Sequence, residues 1–335
     1  MKNKFITDSH LSYVNKSEAM GKCDVLAASM DDCINLSIGN PDFDTDQRVI
    51  DAAFADAGNG HTGYTNYQGD PEFRAEIAKM YKEDYGMDIK DEQILITSSG
   101  CSSLFLIMNM ICNPGDEIIV QAPYFSAYSL QIELNGAKLV ELPTYEEDDF
   151  QIRPELLESL ITEKTKAILL NTPSNPTGSC LTVETMEKIA AIAEKHDLLV
   201  IADDIYTVYS YQHKFVPFAS LPGMMKRTLT INSFSKDYIM CGWRVSNIIM
   251  PEEFMEVALR INQAMVFCAP SVSQRAAMHG IRMRKEIQPP VSAEFRKRLE
   301  YGAERVNALK NMHTQYPPKG TFYLWINIKD TGMTS

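Results

Sequence analysis

The chain has 335 residues, 45% of them hydrophobic and 23% charged, with a formal net charge of -12. That is more apolar material than a single ordinary core holds, so a large domain with a smaller companion is expected. The acidic balance excludes a nucleic-acid binder, which needs a basic surface, and an anionic membrane face; no apolar run reaches the length of a membrane span.

The seven cysteines, Cys23, Cys33, Cys101, Cys112, Cys180, Cys241 and Cys268, are odd in number and scattered, with no CxxC pair, which implies a reduced, cytoplasmic compartment. The start, MKNKFITDSH, lacks the apolar stretch of a signal peptide, so the glycosylation sequons at Asn15 and Asn35 are read as chance. The six histidines show no ligand spacing, and no metal site is expected.

Residues 1–45 carry little periodicity and end in LSIGNPDFDT, a turn signal, and read as an N-terminal arm. An apolar helical pattern spans 49–57. The GNGHTG that follows at 58–63 fits GxGxxG but follows a helix instead of a strand, which argues against a dinucleotide site. Asp70 and Pro71 open a second helix with Phe73, Ile77, Met80 and Tyr81 on one face and Gly86 as its stop.

Strands are then expected at 94–97, 117–121, 138–142, 166–170, 198–202 and 228–232, with a further apolar run at 245–250. Helices are expected between them at 102–112, 126–135, 154–162 and 185–196. Short strands rich in Val, Ile and Leu alternating with amphipathic helices specify an α/β fold, a mostly parallel seven-stranded sheet sandwiched by helices. After position 250 the pattern is helical, at 252–268, 271–285 and 291–312, with Pro289 and Pro290 separating the last two. KGTFYLWINI near the end reads as an extended strand. The expected division is 1–45 as arm and part of a small α/β domain, 46–288 as the large domain, and 289–335 as the start of the C-terminal part of the small one.

In such sheets ligands sit beyond the carboxyl ends of the strands. There the chain places Ser98, Ser99, Gly100, Cys101 and Ser102 opening a helix, which suits a phosphate or equally an ordinary capped turn. APYFSAY puts Phe125 and its aromatic neighbours at the rim, for core packing or for stacking on a planar group. NTPSNPTG makes a rigid loop presenting Asn175, and DDIY sets Asp203 at a buried strand end with Tyr206 three residues on. In TINSFSKDYIMCGWRVSNIIM, Lys236 stands near Ser233, Ser235 and Arg244, whose donors suit a phosphate. A lysine beside a phosphate-binding set suggests a carbonyl cofactor held as a Schiff base.

Taken together, LSIGNPDF, YTNYQGDPEFR, SNPTG, DDIY, SFSK with GWR, and KGTFYLW resemble, in order and spacing, the fold-type I pyridoxal-phosphate enzymes, and among them the class I/II aminotransferases of the aspartate aminotransferase superfamily. The resemblance implies pyridoxal 5'-phosphate bound at Lys236 as an internal aldimine, and transfer of an amino group from an amino acid to a 2-oxo acid. It implies that Lys236 then moves the proton, that Asp203 keeps the pyridine nitrogen protonated, and that Asn175 and Tyr206 donate to the phenolic oxygen. Phe125 matches the stacking ring. Arg244, Ser233, Ser235 and the backbone at Gly100, Cys101 and Ser102 match the phosphate cradle. Tyr64 matches a tyrosine reaching the phosphate of a neighbouring subunit, so a homodimer with shared sites is implied; Gly39 and Asn175 match residues near the substrate.

Two departures follow from the same resemblance. Family members hold the substrate α-carboxylate with an arginine some tens of residues beyond the position of Trp325, whereas the last arginine here is Arg305, so a shortened form of a longer enzyme is expected. Cys101 stands where some aspartate-preferring relatives carry a lysine, which weakens an aspartate reading. The rivals are a carbon–sulfur β-lyase of the same fold, disfavoured by the NPTG loop, and a non-catalytic cofactor-binding sensor, disfavoured because no basic winged-helix segment precedes the family-like region.

Overall fold

The computed structural model describes residue 23 and residues 25–333. The chain forms two compact units, Met1–Asp42 and Phe43–Ser335. In the first, a helical turn closes with Ser29 N–H donating to Leu26 O at 3.0 Å and Met30 N–H to Ala27 O at 3.1 Å.

The second unit is built on a seven-stranded sheet: β1 (Ile94–Thr97), β2 (Glu117–Ala122), β3 (Lys138–Pro143), β4 (Thr165–Asn171), β5 (Leu199–Asp203), β6 (Thr228–Ser233) and β7 (Ser246–Ile249). Their spatial order is β1-β7-β6-β5-β4-β2-β3, and β7 alone runs antiparallel to its neighbours. Apolar runs are needed because both faces are covered. On β2, Ile118 and Val120 pack with Leu104 and Ile107 of helix α3 (Gly100–Ile111), while Ile119 between them packs with Met186 and Ile189 of helix α6 (Val183–Lys195). This is the sheet expected from the sequence, with a systematic difference at its ends. β4, β5 and β6 each run one residue further than expected, so that Asn171, Asp203 and Ser233 are themselves the last strand residues.

In this unit the first two described helices, α1 (Gln47–Gly58) and α2 (Pro71–Tyr85), start on the side chains of Asp46 and Asp70, which accept from the N–H of Arg48 and Glu72; α2 ends on Gly86 at φ 73°. GNGHTG lies between them, away from any strand-to-helix turn. On the sheet's flanks lie α4 (Ala127–Leu134) and α5 (Pro154–Ser159), and a single turn, α7 (Phe234–Asp237), follows β6.

After β7 come α8 (Glu252–Val266) and one long helix, α9 (Ser271–Asn307). The sequence suggested two helices broken at Pro289 and Pro290, but both prolines lie inside α9. Each removes a backbone donor and crowds the preceding turn, a local cost that packing on either side overrides. Ile281 and Ile287 before the prolines and Phe295 and Leu299 after them are all buried. Close to the prolines, Gln288 Nε2 donates to Asp237 O at 3.2 Å and Ser292 Oγ to Val208 O at 2.8 Å.

The expected strand KGTFYLWINI is mostly not one. Only Ile326–Asn327 pairs, antiparallel with His313–Thr314, and Gly320 bridges Ser210. Thr321 turns the backbone at φ 58°, and Phe322 and Tyr323 go into an aromatic cluster with Tyr206, Tyr209 and Phe295. Burying those rings outweighs continuing a ladder.

Gly69 sits at φ 113°, and a Cβ there would lie 2.2 Å from Ile96 Cγ1 on β1. Gly69→Ala is therefore expected to destabilise the protein by about 2 kcal/mol or more, read as a lower urea midpoint at unchanged slope. An unchanged midpoint would contradict the close approach.

Candidate active site

Three neighbouring strands each end on a polar residue, β4 and β5 at the same level and β6 two residues beyond them. In the β4–β5 register Asn171 faces Asp203, and its Nδ2 donates to Asp203 O at 2.8 Å. The same side chain's Oδ1 accepts from Asn175 N–H at 2.7 Å, tying the SNPTG loop to the end of β5. The loop closes on itself through Ser174 N–H to Ser179 O and Gly178 N–H to Ser174 O, both at 2.9 Å.

Asp203 is 5% exposed. Its Oδ2 accepts from the Tyr128 hydroxyl at 2.5 Å, while its Oδ1 is buried without a hydrogen-bond partner of normal geometry among the described residues. Burial pushes its carboxyl up to about 7; the Tyr128 hydroxyl and the Ile205 backbone N–H offset only part of that. Asp204 and Asp237, also buried, are raised too, Asp237 to about 8, chiefly by loss of water. Asp237 Oδ2 is held by Thr207, whose N–H and Oγ1 donate to it at 3.1 and 2.5 Å.

Lys236 lies half-buried in α7, whose N-cap Ser233 accepts from Ser235 N–H. Its Nζ is 3.5 Å from Cys241 Sγ. Arg244 is exposed, in a left-handed backbone conformation at φ 57°, and its Nη1 donates to Cys241 O at 2.8 Å. At the start of α3, the Ser99 hydroxyl accepts from Ser102 N–H at 3.1 Å, so that donor is already used, whereas the amides of Gly100 and Cys101 have no acceptor inside the helix. A Cβ on Gly100 would meet Ile205 Cδ1 at 2.9 Å, so this helix start packs closely on the residue two beyond Asp203. The Cys101 thiol links the parts. It is raised by desolvation first and then by the charge of Asp203, and is lowered by Arg244 and Lys236, so all three act on one point at the tip of α3.

The structure therefore brings together Gly100, Cys101, Asp203, Lys236 and Arg244, with Ser233 and Ser235 in the same turn. Asn175 and Tyr206 are neighbours, the Asn175 side chain acting on the Tyr206 hydroxyl to lower its pKa against the larger rise from burial. Phe125 is half-buried and perpendicular to Tyr128, at 5.6 Å between ring centroids. Tyr64 is 87% exposed and packs against Phe267, turned to solvent within the single chain. Gly39 belongs to the Met1–Asp42 unit.

Sequence reasoning did not single out four residues here: Tyr128, Asn171, Cys241 and Tyr323. Tyr128 is one helical turn beyond Phe125, a spacing that places the two side by side. Asn171 could have been found as the polar end of an apolar strand. Tyr323, 117 residues from its partner Tyr206, carries no local signal.

The family description "Aminotransferase class I and II" matches residues 31–334. This chain belongs to the class I and II aminotransferases. It is 36% identical over 331 residues to an aspartate aminotransferase of Pyrococcus abyssi, covering 97% of this chain and 84% of that one. It is 35% identical over 329 residues to aromatic-amino-acid aminotransferase 2 of Thermococcus litoralis, again covering 97% and 84%. The solved aromatic aminotransferase from Pyrococcus horikoshii superposes with a TM-score of 0.88 at 32% identity, covering 94% of this chain and 84% of that one. As an aminotransferase, a transferase of nitrogenous groups, the chain catalyses amino-group transfer between an amino acid and a 2-oxo acid, and neither the β-lyase nor the sensor reading is favoured. The class is generally pyridoxal-phosphate-dependent. Among the described residues, no helix is long and apolar enough to cross a membrane.

With its carboxyl raised to about 7, Asp203 holds its proton more tightly folded than unfolded, so it costs stability as pH rises from the ordinary carboxylate range to about 7. In cofactor-free protein, Asp203→Asn keeps an acceptor for Tyr128 and cannot ionise. It is expected to gain on the wild type across that window by on the order of 1 kcal/mol per pH unit, read from urea midpoints. Parallel pH profiles would contradict the assignment.

Proposed function

We propose that this aminotransferase binds pyridoxal 5'-phosphate at the ends of β4, β5 and β6, with Lys236 as its attachment and proton-transfer residue. The observation that carries this is the buried Oδ1 of Asp203, which has no hydrogen bond of normal geometry among the described residues. A neutral planar ligand could at most donate to that oxygen, whereas a protonated ring nitrogen supplies both the donor and the positive charge a buried carboxylate lacks. The other residues fit the same group. A phosphate takes donors from Arg244, the Ser233 and Ser235 hydroxyls and the first turn of α3, where the helix dipole favours an anion.

When bound, the cofactor supplies an aldehyde carbon to which amines add and a protonated ring that takes up the electrons released at the substrate Cα. The protein's own part is positional and electrostatic. Asp203, held by Tyr128 on one oxygen and by Asn171 through its backbone, faces the ring nitrogen and keeps it protonated. Lys236 Nζ carries the proton to and from the substrate Cα, close to Cys241, which marks where the amine rests. Asn175 and Tyr206 donate to the phenolic oxygen, and Phe125 covers a ring face. Asn175 also borders the substrate.

For the substrate, the named relatives put aspartate and aromatic amino acids first as donors, with a 2-oxo acid as acceptor. The exposed Tyr64 fits a homodimer in which it reaches the phosphate of a second copy. We place the arm at 1–45, the cofactor domain at 46–288 and the rest of the small domain from 289, with α9 as the rod that joins the last two, and assign the enzyme to the cytoplasm.

Borohydride reduction of the protein loaded with pyridoxal phosphate, followed by peptide mapping, is expected to place the pyridoxyl label on Lys236; label on another lysine would overturn the reading. Asp203→Ala is expected to retain much of the cofactor and to slow the half-reaction with an amino donor by ~10²-fold or more, the size of other preorganised electrostatic effects. A panel containing aspartate and aromatic donors, followed by absorbance of the bound cofactor, identifies the substrate.

A further inference from the structure

Tyr206 is 5% exposed, so its hydroxyl cannot rely on water for hydrogen bonds. The Tyr323 hydroxyl lies 2.8 Å from it, within hydrogen-bond reach. A phenol has one proton to give and lone pairs to receive others. The Tyr206–Tyr323 bond can run either way, since either hydroxyl can be its donor. If Tyr206 gives its proton to Tyr323, it has none for any third group. If Tyr323 donates, Tyr206 is free to donate elsewhere, and more strongly, because each bond received polarises the one given.

Tyr323 is built to stay in reach. Its N–H donates to Thr321 Oγ1 at 3.2 Å, and Thr321 is itself fixed, its N–H donating to Tyr209 O at 2.9 Å and its carbonyl accepting from the Tyr211 hydroxyl at 2.6 Å. Gly320 before it is pressed against Pro173 and Cys180 so closely that a Cβ would lie 2.7 and 2.8 Å from their atoms. The two tyrosine rings meet edge to face at 5.7 Å. Among the described residues the Tyr323 hydroxyl bonds to Tyr206 alone.

We propose that Tyr323 is a positioning residue of the transamination reaction, acting through Tyr206: by donating to the Tyr206 oxygen it turns the Tyr206 proton toward the phenolic oxygen of the bound cofactor. The inference rests on the reading that Tyr206 donates to that oxygen. Its consequence is electrostatic. A ring oxygen whose negative charge is met less well holds the proton it shares with the attached amine more tightly, so the apparent pKa of the bound cofactor rises when Tyr323 loses its hydroxyl.

The test uses Tyr323→Phe, Tyr206→Phe and the double variant, each loaded with pyridoxal phosphate, and reads the absorption of the bound cofactor against pH. Tyr323→Phe is expected to raise the apparent pKa by about half a unit to one unit, the scale of a single weakened hydrogen bond. Added to Tyr206→Phe it is expected to cause no further shift. An unchanged midpoint in Tyr323→Phe, or an equal shift with and without the Tyr206 hydroxyl, would overturn the inference. Uptake of cofactor by the wild type, measured first, separates the two levels: no uptake at all overturns the reading of the site and this inference with it. Normal uptake with no shift overturns the role of Tyr323 alone.

Discussion

A carboxylate taken out of water must meet a cation, accept enough hydrogen bonds, or take up a proton. Asp203 does none of these fully. One oxygen is met by Tyr128, the other by no hydrogen bond of normal geometry among the described residues, and the carboxyl is pushed up to about 7. Such a group lowers stability by itself, and the proposed ligand, which brings a positively charged donor, would offset that cost at the end of a central strand. The rest of the site is arranged around that need.

The sheet supplies the arrangement. A parallel sheet brings strand ends to one edge, and here β4 and β5 deliver Asn171 and Asp203 side by side, while β6 runs two residues past the level of Asp203 to Ser233. Helix α3 points its first turn at the same place, and the turn after β6 carries Lys236 and leads to Arg244. Each residue is thus held by an element whose position is fixed by the buried apolar faces of the sheet. The chemistry needs no loop to find its own conformation, apart from the SNPTG segment, and that one is tied down by Asn171 and by its internal hydrogen bonds.

The parts of this that could be read in the sequence are those whose signals are local. Alternating apolar runs and helices announce the sheet, and polar residues just past each run announce its ligand edge, so Asp203, Asn175 and Lys236 were visible together with their order. What was not visible depends on distant packing. Tyr323 touches Tyr206 because Thr321 turns the chain and the rings of Phe322 and Phe295 stack at 4.9 Å, a choice made by the aromatic cluster and not by the strand-like pattern of KGTFYLWINI. Pro289 and Pro290 were misread for the same reason: their local effect is to end a helix, but residues buried on both sides carry α9 through them. Tyr128 lies between these cases, one turn from a residue that was recognised.

The central claim is that Asp203 serves as the counter-charge to a protonated ring nitrogen. It is tested most directly by ¹⁵N NMR of the protein loaded with pyridoxal phosphate labelled at that nitrogen, in the wild type and in Asp203→Ala, at mildly alkaline pH, where free pyridoxal phosphate has lost the ring proton. The account predicts a protonated-nitrogen signal in the wild type that is lost in the variant. An unprotonated nitrogen in the wild type, or the same protonated signal in both proteins, would contradict it.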